Sequence, residues 1–184
     1  KTGSLAVSGS TTARYASANG EKTGHFDVRA GWKKWAAVTS LSSWNYDDLR
    51  QGSHGPEDYI KDYYVAQENG QDVIITQRNP LLQIPTGYTQ ANLMQKIRFQ
   101  PDAAWDIQYG LHYSETSPYG RYDRHNRKRN GTARYAQWDY GPQKWMMNNI
   151  SVSHFGNRLL YDEMVLRLAR QDFTESRISR NLNN

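Results

Sequence analysis

Between positions 121 and 129 the chain reads Arg121-Tyr122-Asp123-Arg124-His125-Asn126-Arg127-Lys128-Arg129, five basic residues and one histidine around a single acid. Guanidinium groups present paired donors that match a carboxylate or a phosphate, and a cationic loop draws anions toward itself. Arg121, Tyr122, Arg124, His125, Arg127, Lys128 and Arg129 are therefore candidate contacts for an anionic ligand. The same run also suits a solvated surface or a loop that pairs with lipopolysaccharide phosphates. Basic, aromatic-rich stretches bind nucleic acid as well, but no recognised module surrounds this one, and a nucleic-acid partner is not expected. The five histidines, His25, His54, His112, His125 and His154, have no zinc-type spacing, and cysteine is absent, so no metal site and no resident cofactor is expected. The acid pairs Asp47-Asp48 and Glu57-Asp58 have no nucleophile at a readable spacing, and Ser53-His54 is a lone neighbour pair. No glycine-rich phosphate cradle opens a helix. The chain is not expected to be an enzyme.

The elements that must carry these loops alternate with a period of two. In 105–114 one face takes Trp105, Ile107, Tyr109, Leu111 and Tyr113 and the other takes Asp106, Gln108, Gly110, His112 and Ser114. Successive strand residues point to opposite faces, so this is one greasy and one wet face. Phe26, Val28, Ala30 and Trp32 repeat the pattern. So do Ala91, Leu93, Ile97 and Phe99, with Gln95 interrupting, and Met164, Leu166 and Leu168. A small, polar run from Leu5 to Tyr15 is in phase, while Ala36 to Trp44 and Trp145 to His154 read as strands of uncertain phase. That makes about seven strands. The turns at 32–35, 100–104 and 155–158 are short; 45–87 and 115–143 are long and polar; and 17–23 is brief but falls on the long-loop side by count.

Short turns on one edge and long loops on the other characterise outer-membrane β-barrels. No window approaches the roughly 18 apolar residues of a membrane helix, and the mean hydropathy is −0.91. A barrel strand tolerates that, since every second residue faces a wet lumen. The 13 Tyr and 6 Trp against 4 Phe suit membrane–water boundaries. Trp32, Trp35 and Trp105 fall beside the short turns, and Trp44, Tyr46, Tyr88, Tyr113 and Trp145 where strands meet long loops. Trp32, Trp35, Trp44, Trp105, Tyr113 and Trp145 are the expected interface aromatics. Seven strands cannot close an up-and-down barrel. Together with a first residue other than Met and abrupt ends at Lys1 and Asn184, this predicts a mature or internal piece of a larger barrel.

Several strings resemble TonB-dependent outer-membrane receptors of the siderophore, haem or vitamin type. They are 49–59 (LRQGSHGPEDY), 112–117 (HYSETS), 119–125 (YGRYDRH), 140–149 (YGPQKWMMNN) and 175–180 (ESRISR). The resemblance runs in order along most of the chain. It implies an all-β, antiparallel up-and-down transmembrane barrel of about 22 strands, of which residues 1–184 would form roughly the first third. The plug and the remaining strands would lie outside the chain. Expected partners are the rest of the same receptor, the TonB complex through the missing N-terminal part, outer-membrane lipid or lipopolysaccharide, and a small nutrient ligand. The expected location is the outer membrane of a Gram-negative bacterium. The expected role is TonB-energised uptake of a ferric siderophore, haem or similar nutrient; a haem ligand would come from an external loop, which favours His54 or His125. Two rivals remain. A soluble β-sandwich carbohydrate-binding module would bury the Trp105 row in a dry core or a glycan groove. A membrane-barrel hydrolase would need an acidic or Ser/His cluster at the mouth.

Overall fold

The computed structural model describes residues 3–156 and 159–183. Lys1, Thr2, Asn157, Arg158 and Asn184 lie outside the described residues. In chain order the strands are β1 (Ala6–Ala16), β2 (Glu21–Trp32), β3 (Trp35–Tyr46), β4 (Leu49–Arg50), β5 (Tyr63–Glu68), β6 (Gln71–Thr76), β7 (Leu82–Gln83), β8 (Tyr88–Phe99), β9 (Trp105–Thr116), β10 (Tyr119–Gly120), β11 (Lys128–Arg129), β12 (Thr132–Ala133), β13 (Tyr135–Phe155) and β14 (Glu163–Asn181). A short helix, α1 (Tyr122–His125), and a 3₁₀ turn at Glu57–Tyr59 complete the elements. The fold is all-β. The long strands β1, β2, β3, β8, β9, β13 and β14 form one antiparallel up-and-down sheet, to which β10 adds by pairing with β13. The sheet is open rather than closed into a barrel: among the described residues β1 pairs only with β2, and β14 only with β13.

Connections sort by edge. Residues 33–34, 100–104 and 156–162 join strands at one edge, and 17–20, 47–87 and 117–134 at the other. The turn expected at 155–158 falls partly on residues outside the described ones; β13 ends at Phe155 and β14 begins at Glu163. The last long loop is shorter than the sequence suggested, because β13 begins at Tyr135 rather than near Trp145. β13 and β14 therefore rise past the other strands, through register shifts at Tyr135/Gln137 and Tyr140/Gln143.

Register partners share a face. One row runs Thr11, Phe26, Leu41, Leu93, Tyr113, Met146 and another Val7, Ala30, Ala37, Ile97, Tyr109, Ile150, Leu168. These rows make one continuous apolar face. Its interruption at Gln95 is satisfied locally, since Thr39 and Gln95 hydrogen-bond side chain to side chain at 2.5 Å. The opposite face carries Ser10, Asp27, Arg29, His25, Lys96, Arg98, Asp106 and Gln108. Arg98 donates a forked pair to Asp106, Nε at 2.9 Å and Nη2 at 2.5 Å. Asp27 accepts from Ser10 and sits 3.4 Å from Arg29.

Burial runs opposite to the soluble norm, in which apolar groups go inside. Phe26, Leu41 and Leu168 on the apolar face are 48, 47 and 58% exposed. Glu21, Asp27 and Asp106 on the polar face are buried. Among the described residues the buried apolar set is Tyr63, Ala133 and Ala136, all at the long-loop edge. Below that edge the described residues of the sheet form no apolar core.

Candidate functional site

The long loops fold into a roof over one edge of the sheet. Loop 47–87 is closed at its base by β4 pairing with β7 and by Asp48, whose Oδ1 accepts from the backbone N–H groups of Thr86 and Gly87 at 2.6 and 2.9 Å. Its β5–β6 hairpin turns at Asn69-Gly70, with φ of 49° and 81°, the conformation that Asn-Gly supplies at little steric cost. Asn130-Gly131 turns β11 into β12 in the same way, with φ of 53° and 78°.

The two loops meet at a cluster of rings and amines. The Tyr122 hydroxyl donates to the Tyr59 carbonyl at 2.7 Å, and the Asn126 amide to the Asp58 carbonyl at 3.2 Å. Lys61 Nζ lies 4.9 Å from the Tyr122 ring centre and 5.4 Å from that of Tyr63, and Lys128 Nζ lies 5.3 Å from Tyr63. Lys61 is 3% exposed and donates to the Ile84 carbonyl at 3.0 Å. The far end of the hairpin is tied down as well: Asp72 accepts from Arg180 and from the Asn183 backbone N–H.

Burial pushes the Lys61 amine down to about 8, against the opposing pull of Asp48. Burial, with Tyr63 adding, pushes the Tyr122 hydroxyl up to about 12, so it stays protonated while Lys61 titrates. The sign follows: both states hold the Lys61 proton below pH 8, and the folded state bears the cost of a buried charge. Between pH 8 and 10.5 the folded state sheds the proton first. Roof stability therefore rises across that window, by up to ~3 kcal/mol at about 1.4 kcal/mol per pKa unit. Amide exchange at 57–63 and 121–126 should slow from pH 8 to 10 once corrected for intrinsic rate, and Lys61→Met should abolish the slowing.

The basic run is sorted by this packing. Arg121 donates to both carboxylate oxygens of Asp123, at 2.8 and 2.6 Å, and to the Tyr140 hydroxyl at 3.2 Å. That pairing, despite some desolvation, holds the Asp123 carboxyl below the usual range. The Arg121 and Arg124 guanidinia lie 5.0 and 5.4 Å from the Trp138 ring centre. His125 is buried, its Nε2 3.3 Å from both Asp139 Oδ1 and the Trp138 backbone nitrogen. Arg121, Tyr122, Arg124 and His125 thus knit the roof together. Arg127, Lys128 and Arg129 are exposed on the β11–β12 hairpin beside exposed Arg134, with no carboxylate of the described residues within 4 Å. His54 is exposed on the other long loop, its Nδ1 3.2 Å from Ser53 Oγ.

The aromatics also divide. Trp32 and Trp35 stack at 6.5 Å and Trp35 on Phe99 at 4.3 Å, at the short-turn end of the apolar face. Trp105 meets His154 at 4.4 Å there, and Tyr113 stands on the same face nearer the long loops. Trp44 and Trp145 depart from their expected place at the membrane interface. Strand parity puts both on the polar face, where Trp145 Nε1 donates to Gln171 at 3.1 Å. Their phases were the ambiguous ones. Tyr46, Tyr88, Tyr119 and Tyr140 instead form a chain of ring contacts at 4.8, 5.6 and 6.0 Å along the long-loop edge.

Sequence reasoning missed Lys61, Tyr63, Trp138 and Tyr140, the partners of the basic run. It also missed a polar row in which Ser42 Oγ lies 2.7 Å from His25 Nδ1 and His25 Nε2 lies 3.7 Å from Asp27. Acyl transfer needs free donors at the developing oxyanion. In mid-strand the neighbouring N–H groups serve the ladder, so this row is structural. Among the described residues no three His, Asp or Glu side chains converge as a metal site, and no helix is long and apolar enough to cross a membrane. Compared with protein-family models, curated proteins and solved structures, the chain matches none.

Proposed function

We propose that this sheet is part of the wall of a TonB-dependent outer-membrane receptor that imports a ferric siderophore, haem or a similar anionic nutrient. The observation that carries the proposal is the inverted amphipathic sheet. Val7, Phe26, Leu41, Ile97, Ile150 and Leu168 share one exposed apolar face, and Asp27 and Asp106 are sheltered on the other. Each large apolar side chain left in water forgoes roughly 1.5–3 kcal/mol of burial. Repeated across a whole face, that is a cost no small soluble domain sustains, whereas hydrocarbon removes it. The polar face would then line the lumen and the roof would stand outside the cell. The exposed cations Arg127, Lys128 and Arg129, with His54, are the proposed first contacts for the ligand. A soluble sandwich needs a second layer over Trp105 and Tyr109, yet these are 37 and 38% exposed.

Produced in a Gram-negative host stripped of its own iron-complex receptors, the receptor carrying this wall should restore uptake of a labelled ferric complex or haem only while TonB is intact. Reversing Arg127 and Arg129 to glutamate should slow capture about tenfold at low salt, with the difference shrinking as salt rises. Uptake that ignores TonB, or no uptake of any iron complex, would refute the proposal.

A further inference from the structure

Four of the five histidines have a ring nitrogen engaged: His25 with Ser42, His54 with Ser53, His125 with Asp139 and His154 with Tyr161. His112 differs. It is half-buried on the polar face of β9, and among the described residues neither of its ring nitrogens has a hydrogen-bond partner. Its ring contact is with Trp145, centre to centre at 6.1 Å.

The register sets a methionine on each side of it. Met94 on β8 and Met147 on β13 are both partners of His112, so the three side chains stand abreast, with the β-carbons of adjacent pairs about 4.5–5.5 Å apart. All three are half-buried. The rows beside them are polar, apart from Trp145: Asn92 and Ser114 toward the long loops, Lys96, Gly110 and Asn149 toward the short turns. What methionine adds to such a face is a polarisable sulfur on a flexible stem.

Two thioethers bracketing an imidazole with a free lone pair are a donor set for a soft metal ion. Thioether with imidazole suits copper(I), whereas calcium, magnesium and manganese take oxygen ligands. Asp27 stands in the same row but beyond β3, and it is held by Ser10 and Arg29. Two neighbours favour a single positive charge. The Trp145 indole is fixed by its bond to Gln171 at 3.1 Å on the long-loop side of the trio, and an aromatic ring beside a cation attracts it. Lys96, exposed in the adjoining row, repels an ion in proportion to its charge and so disfavours a divalent one. His112 also lines a hollow of about 300 Å³ with Lys96, Arg98, Gln108, Gly110 and Asn149, which gives an ion a way in.

We infer that Met94, His112 and Met147 form a copper(I) site, two thioether sulfurs and one imidazole nitrogen around the ion, with Trp145 closing its long-loop side. The inference goes beyond the uptake reading above. It uses only the register of β8, β9 and β13 and does not need the sheet to lie in a membrane.

The test is an anaerobic competition for copper(I) between the intact protein, folded in detergent, and the chromophoric chelator bicinchoninate, with X-ray absorption of the loaded protein. One copper(I) per chain is expected, with sulfur and nitrogen in its nearest shell. Silver(I), which shares the donor preference and keeps its oxidation state, should displace it. Met94→Leu and Met147→Leu nearly conserve volume. Each should weaken binding about tenfold or more, since losing even a group behind a ligand costs about 10–100-fold. His112→Gln should weaken it at least as much. Met146→Leu, next to Met147 but on the opposite face of β13, should change nothing. Copper(I) held without sulfur, or with an affinity indifferent to Met94 and Met147, overturns the inference. An equal loss in Met146→Leu traces the effect to the folding of β13 and overturns it too. Zinc(II) bound through His112 more tightly than copper(I) overturns the choice of ion.

Discussion

Replacing Leu41 with arginine should cost about 2–4 kcal/mol of folding stability in a bilayer, the range for a cation facing lipid at mid-depth. Leu41 lies near the middle of β3, on the apolar face and 47% exposed. The sign of the effect is what discriminates. If that face met water, an exposed leucine would bury little, and arginine there would stay within about 0.5 kcal/mol of wild type and improve solubility. Against lipid, the guanidinium must climb toward an interface or drag water inward. Gln108→Lys is the matched control, since Gln108 is exposed on the polar face beside Asp106. It should be tolerated in either case. Folding into vesicles, followed by denaturant titration and by heat-modifiable electrophoretic mobility, separates the outcomes. Equal stability of Leu41→Arg and Gln108→Lys would remove the central support for a membrane wall.

The sheet was legible where alternation was strong and residue sizes differed sharply between faces. From Trp105 to Ser114 the parity of the sequence is the parity of β9, and Phe26 to Trp32 in β2 behaves alike. In β3 the phase was hidden because Ala36, Ala37, Val38 and Thr39 put small side chains on both faces. Trp145 was misplaced for a related reason. Its strand carries Asn148 on the apolar face and Met147 on the polar one, which blurs the contrast. The first part of β13, from Tyr135 to Pro142, holds Asp, Gly and Pro and reads as loop. It is strand because β14 pairs with it across an irregular register.

The roof was far less legible. Lys61 and Tyr122 meet across a long stretch of chain, and no local pattern announces such a contact. Local signals did exist for its hairpins, since Asn69-Gly70 and Asn130-Gly131 are the residues a tight reversal with two left-handed positions requires. The basic run was conspicuous in sequence, but which of its members are held inside was not. Arg121 and Arg124 owe their fixed positions to Trp138, on a strand that pattern alone did not extend so far.

That dependence gives the second large expected effect. Trp138→Ala removes the ring beneath two guanidinia and the edge contact to Tyr140 at 5.4 Å. At about 0.5–2 kcal/mol for each cation–ring contact and about 0.5–1.5 for the ring pair, the loss is roughly 1.5–5.5 kcal/mol. The loss falls on the roof alone, because the sheet below is held by its own ladder. Arg121 would keep Asp123, but α1 would lose the surface it lies on, and His125 would lose its seat beside Asp139. The expected result is rapid protease cleavage within 117–134 with heat-modifiable mobility and vesicle folding unchanged. Uptake should fall because the outer cations Arg127, Lys128 and Arg129 would no longer be presented from a fixed base. Trp138→Phe, which keeps a ring face under both guanidinia, should restore most protection. If the alanine variant kept the loop protease-resistant, the cations would owe their order to Tyr63 and Lys61 on the neighbouring loop. The two loops would then have to be loosened together before capture failed.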